Sequence, residues 1–65
     1  MRILLNGDAV DFEAATLADF VEMQEFDPDI VATAVNGEFV PRLERAEMLL
    51  ADGDQVEVFS PRQGG

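Results

Sequence analysis

Two Asn-Gly dipeptides constrain the fold of this 65-residue chain more strongly than any other feature of its sequence. Type I′ hairpin turns prefer Asn-Gly, because both central residues of such a turn need positive φ angles. Asn6-Gly7 follows the apolar run 3–5 and precedes the alternating segment 9–12, which has the pattern of a half-buried return strand. The sequence therefore predicts a β-hairpin in its first twelve residues.

The second dipeptide, Asn36-Gly37, predicts another pair of strands. Residues 30–35 are rich in β-branched side chains, which is typical of a buried strand. Residues 38–40 follow the turn, and Pro41 then interrupts the segment. Because proline has no N–H to donate to a neighbouring strand, this return strand must be short or lie at a sheet edge.

One amphipathic helix is predicted between the two hairpins, over residues 17–25. Thr16 is a suitable N-cap, and Asp19 three residues later completes a variant of the capping box. Asp27-Pro28 ends the helix, and no glycine is present to cap it. Three apolar residues at helical spacing form one stripe: Leu17, Phe20 and Val21.

The rest of the chain supplies one more strand and a tail. Residues 43–50 could hold a helical turn, residues 52–54 a turn, and residues 55–59 alternate as a strand does. We predict an α+β domain over residues 1–60, with the β-grasp fold: a mixed sheet of four to five strands and one main helix packed on one face. Residues 61–65 have no periodicity and are predicted to be a flexible Gly-Gly tail. The helix stripe should pack against some of the following strand residues: Ile3, Leu5, Val35, Val56 and Val58.

Composition excludes most enzymatic roles. The chain has no histidine, lysine, cysteine, tyrosine or tryptophan, so the usual general bases, amine nucleophiles and thiolates are absent from the sequence. Its hydroxyl groups have no histidine or lysine to activate them, and without cysteine it has neither disulfides nor thiolate zinc sites. The five phenylalanines are interpreted as mostly core residues. We expect a binding or carrier protein rather than an enzyme.

The net charge also favours a protein that binds other proteins. Fourteen acidic residues against four arginines give a formal charge of −10. Such a surface repels phosphate backbones and anionic membranes, so no nucleic acid and no membrane is expected as a partner, whereas basic protein surfaces attract it. The apolar run 3–5 is too short for a signal peptide or a membrane span, and a cytoplasmic location is expected.

The acidic residues themselves give no strong site. Asp52 and Asp54 could suggest a calcium ligand pair, but the further oxygen ligands of an EF-hand loop are missing, and a turn held by aspartate side chains is the preferred interpretation. Paired carboxylates for glycoside hydrolysis would need a cleft that raises one pKa, which a domain this small does not offer. The acidic helix face of Asp19, Glu22 and Glu25 is either a solvated face or a docking surface for a basic partner. No metal site is predicted.

The carboxyl-terminal pair Gly64-Gly65 is the strongest functional signal. Without Cβ atoms, this backbone can pass through a narrow channel and lie flat in a partner's active site. It would deliver one functional group there, the α-carboxylate of Gly65. Coupling to AMP converts this poor electrophile into an acyl adenylate, and a sulfur nucleophile can then displace AMP to give a thiocarboxylate. The carrier needs no catalytic side chain for this chemistry.

Five segments, spread over essentially the whole chain, form one pattern. Residues 34–42 read Ala-Val-Asn-Gly-Glu-Phe-Val-Pro-Arg. The other segments are Ile3-Leu4-Leu5-Asn6-Gly7, Thr16-Leu17-Ala18-Asp19, Asp52-Gly53-Asp54-Gln55-Val56-Glu57 and Gly64-Gly65. Together they resemble the ThiS family of sulfur carrier proteins, which have a ubiquitin-like β-grasp fold. The resemblance is most specific around Asn36-Gly37 and at the Gly-Gly terminus.

The resemblance implies a function in the thiazole branch of thiamine biosynthesis, and it implies partners. An adenylating enzyme of the ThiF/MoeB type would activate Gly65 with ATP and magnesium, which this chain itself does not bind. A cysteine desulfurase persulfide or a related donor would supply the sulfur, and the thiazole synthase ThiG would consume the thiocarboxylate. Gly65 would be the modified residue, and the remaining tail residues would enter the partners' active sites: Gly64, Gln63, Arg62 and Pro61.

Four alternatives remain open at this point. MoaD, the small subunit of molybdopterin synthase, shares the fold, the tail and the activation chemistry but is generally longer, and a carrier for another sulfurated metabolite would look similar. A ubiquitin-like protein modifier would also use Gly65, although a chain without lysine could not form lysine-linked polymers of itself. A noncovalent β-grasp module of the TGS type would have no need of a free Gly-Gly end.

Overall fold

The computed structural model describes residues 1–13 and 15–60 of the chain. Within them, five strands form one mixed sheet in the order β2-β1-β5-β3-β4. The elements in chain order are β1 (Arg2–Leu5), β2 (Asp8–Asp11), α1 (Leu17–Met23), β3 (Ala32–Val35), β4 (Glu38–Val40), a 3₁₀ helix (Arg42–Glu47) and β5 (Gln55–Phe59). Strands β1 and β5 are parallel, and the other neighbouring pairs are antiparallel. The predicted β-grasp architecture is confirmed.

Both predicted Asn-Gly turns are present, and both have the type I′ conformation. The φ angles are 50° and 91° at Asn6 and Gly7, and 53° and 86° at Asn36 and Gly37. Their backbone twist matches that of the flanking strands, so each turn connects two antiparallel neighbours. The second hairpin places β4 at the edge of the sheet, where Pro41 ends it as predicted.

The core lies between α1 and one face of the sheet. Leu17, Phe20 and Val21 of α1 are buried together with Ile3, Val35, Val56 and Val58 from the three central strands, and Leu5 packs against them. Phe12 lies just beyond β2 rather than inside it, and its ring meets that of Phe20 edge-on with the centroids 4.4 Å apart. The predicted helix stripe therefore does contact the predicted strand positions.

The end of α1 uses a glutamate where a glycine is the common choice. The helix ends at Met23, two residues earlier than predicted, and Glu25 has a left-handed φ of 65°. The amide of Glu25 donates to the Glu22 carbonyl at 3.0 Å, and that of Phe26 donates to the Val21 carbonyl at 3.1 Å. These two bonds define a Schellman motif, which satisfies carbonyls at the helix end.

Strand β3 is shorter than predicted, because residues 30 and 31 belong to a turn. The Asp27 carbonyl accepts hydrogen bonds from the amides of Ile30 and Val31, at 3.1 and 3.2 Å. The Asp27 side chain also accepts a bond from the Asp29 amide at 2.9 Å, so the turn is closed locally. β3 consequently begins at Ala32.

Arg45 secures this turn from inside the domain. Its side chain is buried, and it donates from Nε to Thr33 Oγ1 at 3.0 Å, from Nη1 to the Pro28 carbonyl at 3.0 Å and from Nη2 to the Val31 carbonyl at 2.6 Å. Thr33 in turn donates to the Val40 carbonyl at 2.9 Å. Burial, and to a smaller extent the nearby Arg42, lowers the pKa of Arg45. The guanidinium thereby fastens the 3₁₀ helix to the segment before β3.

We predict that Glu25→Gly raises the free energy of unfolding by about 0.5–1 kcal/mol. Glycine relieves a left-handed conformation that costs an L-residue about 1–2 kcal/mol, and part of this gain is offset by the greater entropy of glycine in the unfolded chain. Urea unfolding followed by circular dichroism measures the change.

The matched control is Glu22→Gly, which removes the same charge from an exposed position inside α1. It should lower the free energy of unfolding by about 1 kcal/mol, because glycine weakens a helix interior. Equal losses in both variants would show that Glu25 is not under conformational strain.

Candidate functional site at the end of strand β5

The tail residues predicted to carry the chemistry, Pro61, Arg62, Gln63, Gly64 and Gly65, lie outside the described residues. The structure describes the chain up to Ser60, directly after β5. The described part of the candidate site therefore consists of strand β5, which leads to the tail, the side chains that hold this strand and the sheet surface beside it.

Strand β5 is the central strand of the sheet. It pairs in parallel with β1 through Leu4↔Gln55 and Leu5↔Val56, and antiparallel with β3 from Val35↔Val56 to Ala32↔Phe59. Along β5 the even-numbered residues exchange hydrogen bonds with the β1 side and the odd-numbered residues with the β3 side. The strand that leads to the tail is thus flanked on both sides.

Asn36 fastens the beginning of β5. Its backbone N–H donates to the Gln55 carbonyl at 2.7 Å, and its side-chain Oδ1 accepts from the Gln55 backbone N–H at 3.0 Å. Its Nδ2 donates to Asp54 Oδ1 at 3.1 Å. One turn asparagine therefore connects the second hairpin to the first residues of the central strand.

Asn6, the equivalent residue of the first hairpin, fastens the other end of β5. Its Nδ2 donates to the Val58 carbonyl at 3.1 Å, and its Oδ1 accepts from the Val58 amide at 3.0 Å. The side-chain amide thus makes the two bonds that a paired strand residue would make. Val58 is held in this way three positions before Pro61.

The sheet face opposite α1, called here the open face, carries exposed aromatic rings beside polar side chains, since β5 contributes Gln55 and Glu57 to it as well as Phe59. Side chains alternate along each strand, so the residues that neighbour one another on this face follow from the strand register. Phe39 and Phe59 are the largest of them and are 66% and 52% exposed, on either side of β3. The apolar members of the open face are Leu4, Ala9, Ala32, Ala34, Phe39 and Phe59.

Three of the five phenylalanines belong to the core as interpreted, because Phe12 and Phe20 are buried and Phe26 packs against them. The interpretation is wrong for the other two, Phe39 and Phe59, which are exposed. The alternation of Val56, Val58 and Phe59 could have revealed this, because Phe59 takes the opposite parity to the two buried valines. Sequence patterns gave no signal for the side-chain bonds of Asn6, whose partner lies 52 residues away.

The turn at residues 52–54 is held as expected by Asp54, which accepts a bond from the Ala51 amide at 2.8 Å. Asp52 instead accepts a bond from the distant Arg2 amide of β1 at 2.6 Å. Of the predicted acidic helix face, Asp19 and Glu22 are exposed on α1, whereas Glu25, also exposed, lies beyond the end of the helix at Met23. Within residues 1–13 and 15–60, no group of three or more potential metal ligands comes together. Nor does this part of the chain contain a helix long and apolar enough to cross a membrane.

These features define a class of protein. A mixed five-stranded sheet that grips one helix, with its central strand last in the chain, is the ubiquitin-like β-grasp fold. The same fold is found in the thiamine biosynthesis protein ThiS from Geobacter metallireducens. Its crystal structure matches with a TM-score of 0.83 at 23% identity over all of both chains. Its solution structure matches with a TM-score of 0.82 over all of this chain and 88% of that one.

Sequence comparison gives the family. The model of the ThiS family matches residues 3–65, and the chain belongs to this family. It is 33% identical over 66 residues to the sulfur carrier protein ThiS of Escherichia coli (strain K12), with the whole of both chains covered. The resemblance seen in the sequence motifs is confirmed.

Proposed function

We propose that this chain is a sulfur carrier of thiamine biosynthesis and that it carries the sulfur on the carboxyl group of Gly65. The observation that supports this most strongly is the ThiS family match, because it extends through residue 65 and so includes the Gly64-Gly65 pair. The whole-length similarity to the carrier from Escherichia coli supports the same function. The chain acts as a substrate of its partners and supplies no catalytic side chain.

The reaction proceeds in two stages on the Gly65 carboxylate. In the first, a carboxylate oxygen attacks the α-phosphorus of ATP, pyrophosphate leaves and an acyl adenylate forms. A ThiF/MoeB-type enzyme binds the ATP and magnesium for this step. In the second, the terminal sulfur of a cysteine desulfurase persulfide attacks the carbonyl carbon and AMP leaves. A thiol then cleaves the S–S bond of the resulting acyl disulfide, which releases the thiocarboxylate and leaves a disulfide on the donor side.

The tail residues fit this role by their chemistry. Gly64 and Gly65 have no side chains, so a narrow channel can close around them and exclude water. Pro61, Arg62 and Gln63 connect them to the domain 1–60 and would enter the channel behind them. Thiazole synthase ThiG would receive the same tail and remove the sulfur. The cytoplasmic location stays a prediction from the sequence.

The open face is the surface on which we expect the adenylating enzyme to dock. Phe39 and Phe59 present apolar area next to the strand that leads to the tail. Aromatic residues, phenylalanine included, are enriched in protein interfaces, where a few central residues carry most of the binding energy. The formal charge of −10 steers the domain toward a basic rim on the partner, and this contribution weakens as salt increases.

The central test is accurate-mass spectrometry of the intact protein after incubation with ATP, magnesium, a ThiF-type enzyme and a sulfur donor. We expect replacement of one oxygen by sulfur, located by fragmentation within residues 61–65. This location is essential, because oxidation of one of the three methionines gives nearly the same mass change.

The matched control is the chain extended by one alanine beyond Gly65. It keeps the described domain intact but has no Gly65 carboxylate, so it should stay unmodified. An unmodified parent chain, in a mixture that converts the Escherichia coli carrier, would contradict the proposal and favour a noncovalent β-grasp module.

Docking through the open face is tested with Phe39→Ala. We expect the KM for adenylation to increase about fivefold or more, as for loss of an interface residue worth at least about 1 kcal/mol, with kcat nearly unchanged. Initial rates of pyrophosphate release, measured against carrier concentration, separate the two constants.

Leu43→Ala is the control for that variant. Leu43 is 89% exposed but belongs to the 3₁₀ helix, on the α1 side of the sheet. Its removal should leave KM within about twofold of the parent value, because it does not touch the open face. A KM that rises equally in both variants would place the docking surface elsewhere.

A further inference from the structure

The end of β5 has an unusual hydrogen-bonding situation on its β1 side. The last backbone–backbone hydrogen bond on this side comes from Asn6, directly after β1, whose backbone N–H donates to the Val56 carbonyl at 2.9 Å. The chain then turns away at Asn6-Gly7, so no strand residue of β1 faces Val58. On the other side, β3 still pairs with β5 as far as Phe59. The Asn6 side chain fills the missing position.

The chemistry of the side chain suits this position in two ways. A carboxamide has one acceptor and one donor in a plane, so it can pair with both the N–H and the C=O of one peptide residue, as Asn6 does with Val58. Asparagine also tolerates the left-handed conformation that the first position of the turn requires. One residue thereby both makes the hairpin turn and holds the strand end.

We infer that Asn6 is a positioning residue for the chemistry at Gly65, because its bonds to Val58 fix the point from which the tail leaves the domain. This inference rests on the proposed function. Without these bonds the β1 side of residues 58–60 is free, and the segment that must be ordered in the partner's active site lengthens. A reacting group at the end of a longer, less oriented segment spends less time in the reactive geometry.

The predicted effect therefore appears in kcat rather than in KM. Binding depends on the open face, which a change at Asn6 leaves in place, whereas delivery of the carboxylate depends on where residues 61–65 begin. A purely structural role of Asn6 would lower the free energy of unfolding but would leave the kcat of the folded protein unchanged. The separation of kcat from KM is thus the decisive readout.

Asn6→Asp and Asn36→Asp form a matched pair for this test. Each variant keeps a residue that tolerates the type I′ turn, adds one negative charge and replaces an amide donor by an acceptor. In Asn6→Asp the lost donor faced the Val58 carbonyl, and in Asn36→Asp it faced the Asp54 carboxylate. Both variants weaken a contact to β5 or its flanking turn, but only the first lies at the tail end.

The experiment measures carrier-dependent pyrophosphate release by the adenylating enzyme, at a temperature at which circular dichroism shows both variants folded. We expect Asn6→Asp to lower kcat about three- to tenfold, with KM within about twofold of the parent, and Asn36→Asp to change neither constant by more than about twofold. The pair Asn6→Gly and Asn36→Gly carries the same expectation if an aspartate variant does not fold, because glycine also forms this turn.

Three results would overturn the inference. The first is a kcat of Asn6→Asp equal to that of the parent, the second is an equal decrease of kcat in the Asn6 and Asn36 variants, and the third is an effect of Asn6→Asp confined to KM. Failure of the proposed function is recognised separately, since in that case the parent chain itself supports no pyrophosphate release.

Discussion

The arrangement of the molecule depends on strand β5 being held along both edges. It lies between β1 and β3, contributes Val56 and Val58 to the core, and exchanges hydrogen bonds with the two turn asparagines at its opposite ends. Because β5 is also the last of the described strands, its fixation determines where residues 61–65 begin. A fixed origin and a side-chain-free end are the two properties that the proposed delivery of the Gly65 carboxylate requires.

The two faces of the sheet have different roles. One face is closed by α1 and supplies the buried apolar area on which a chain of this size depends. The open face keeps Phe39 and Phe59 exposed, which gains nothing for the stability of the isolated domain. This cost is understandable if a partner covers these rings, as the proposed function requires.

Local patterns predicted most of the fold because the signals were local. The Asn-Gly pairs, the Thr16 N-cap and the alternation in residues 55–59 each act within a few residues, and each was found where expected. Two features were missed for different reasons. Arg45 holds carbonyls near residue 30 through contacts distant in sequence, and these secure the turn that delays the start of β3. The left-handed Glu25 is a local feature, but a glutamate does not predict the helix end that a glycine would. The site was predicted from the terminal glycines, whereas the bonds between Asn6 and Val58 required the structure.

Native-state hydrogen exchange of the Val58 amide, followed by NMR, tests most directly whether the end of β5 is held by Asn6. The account predicts slow exchange, within about tenfold of the rate at Val56 in the middle of the pairing, because the Val58 N–H is bonded to Asn6 Oδ1 at 3.0 Å and opens only when that contact breaks. Exchange of the Val58 amide at the rate of an unstructured chain, with Val56 still protected, would contradict a fixed origin for the tail.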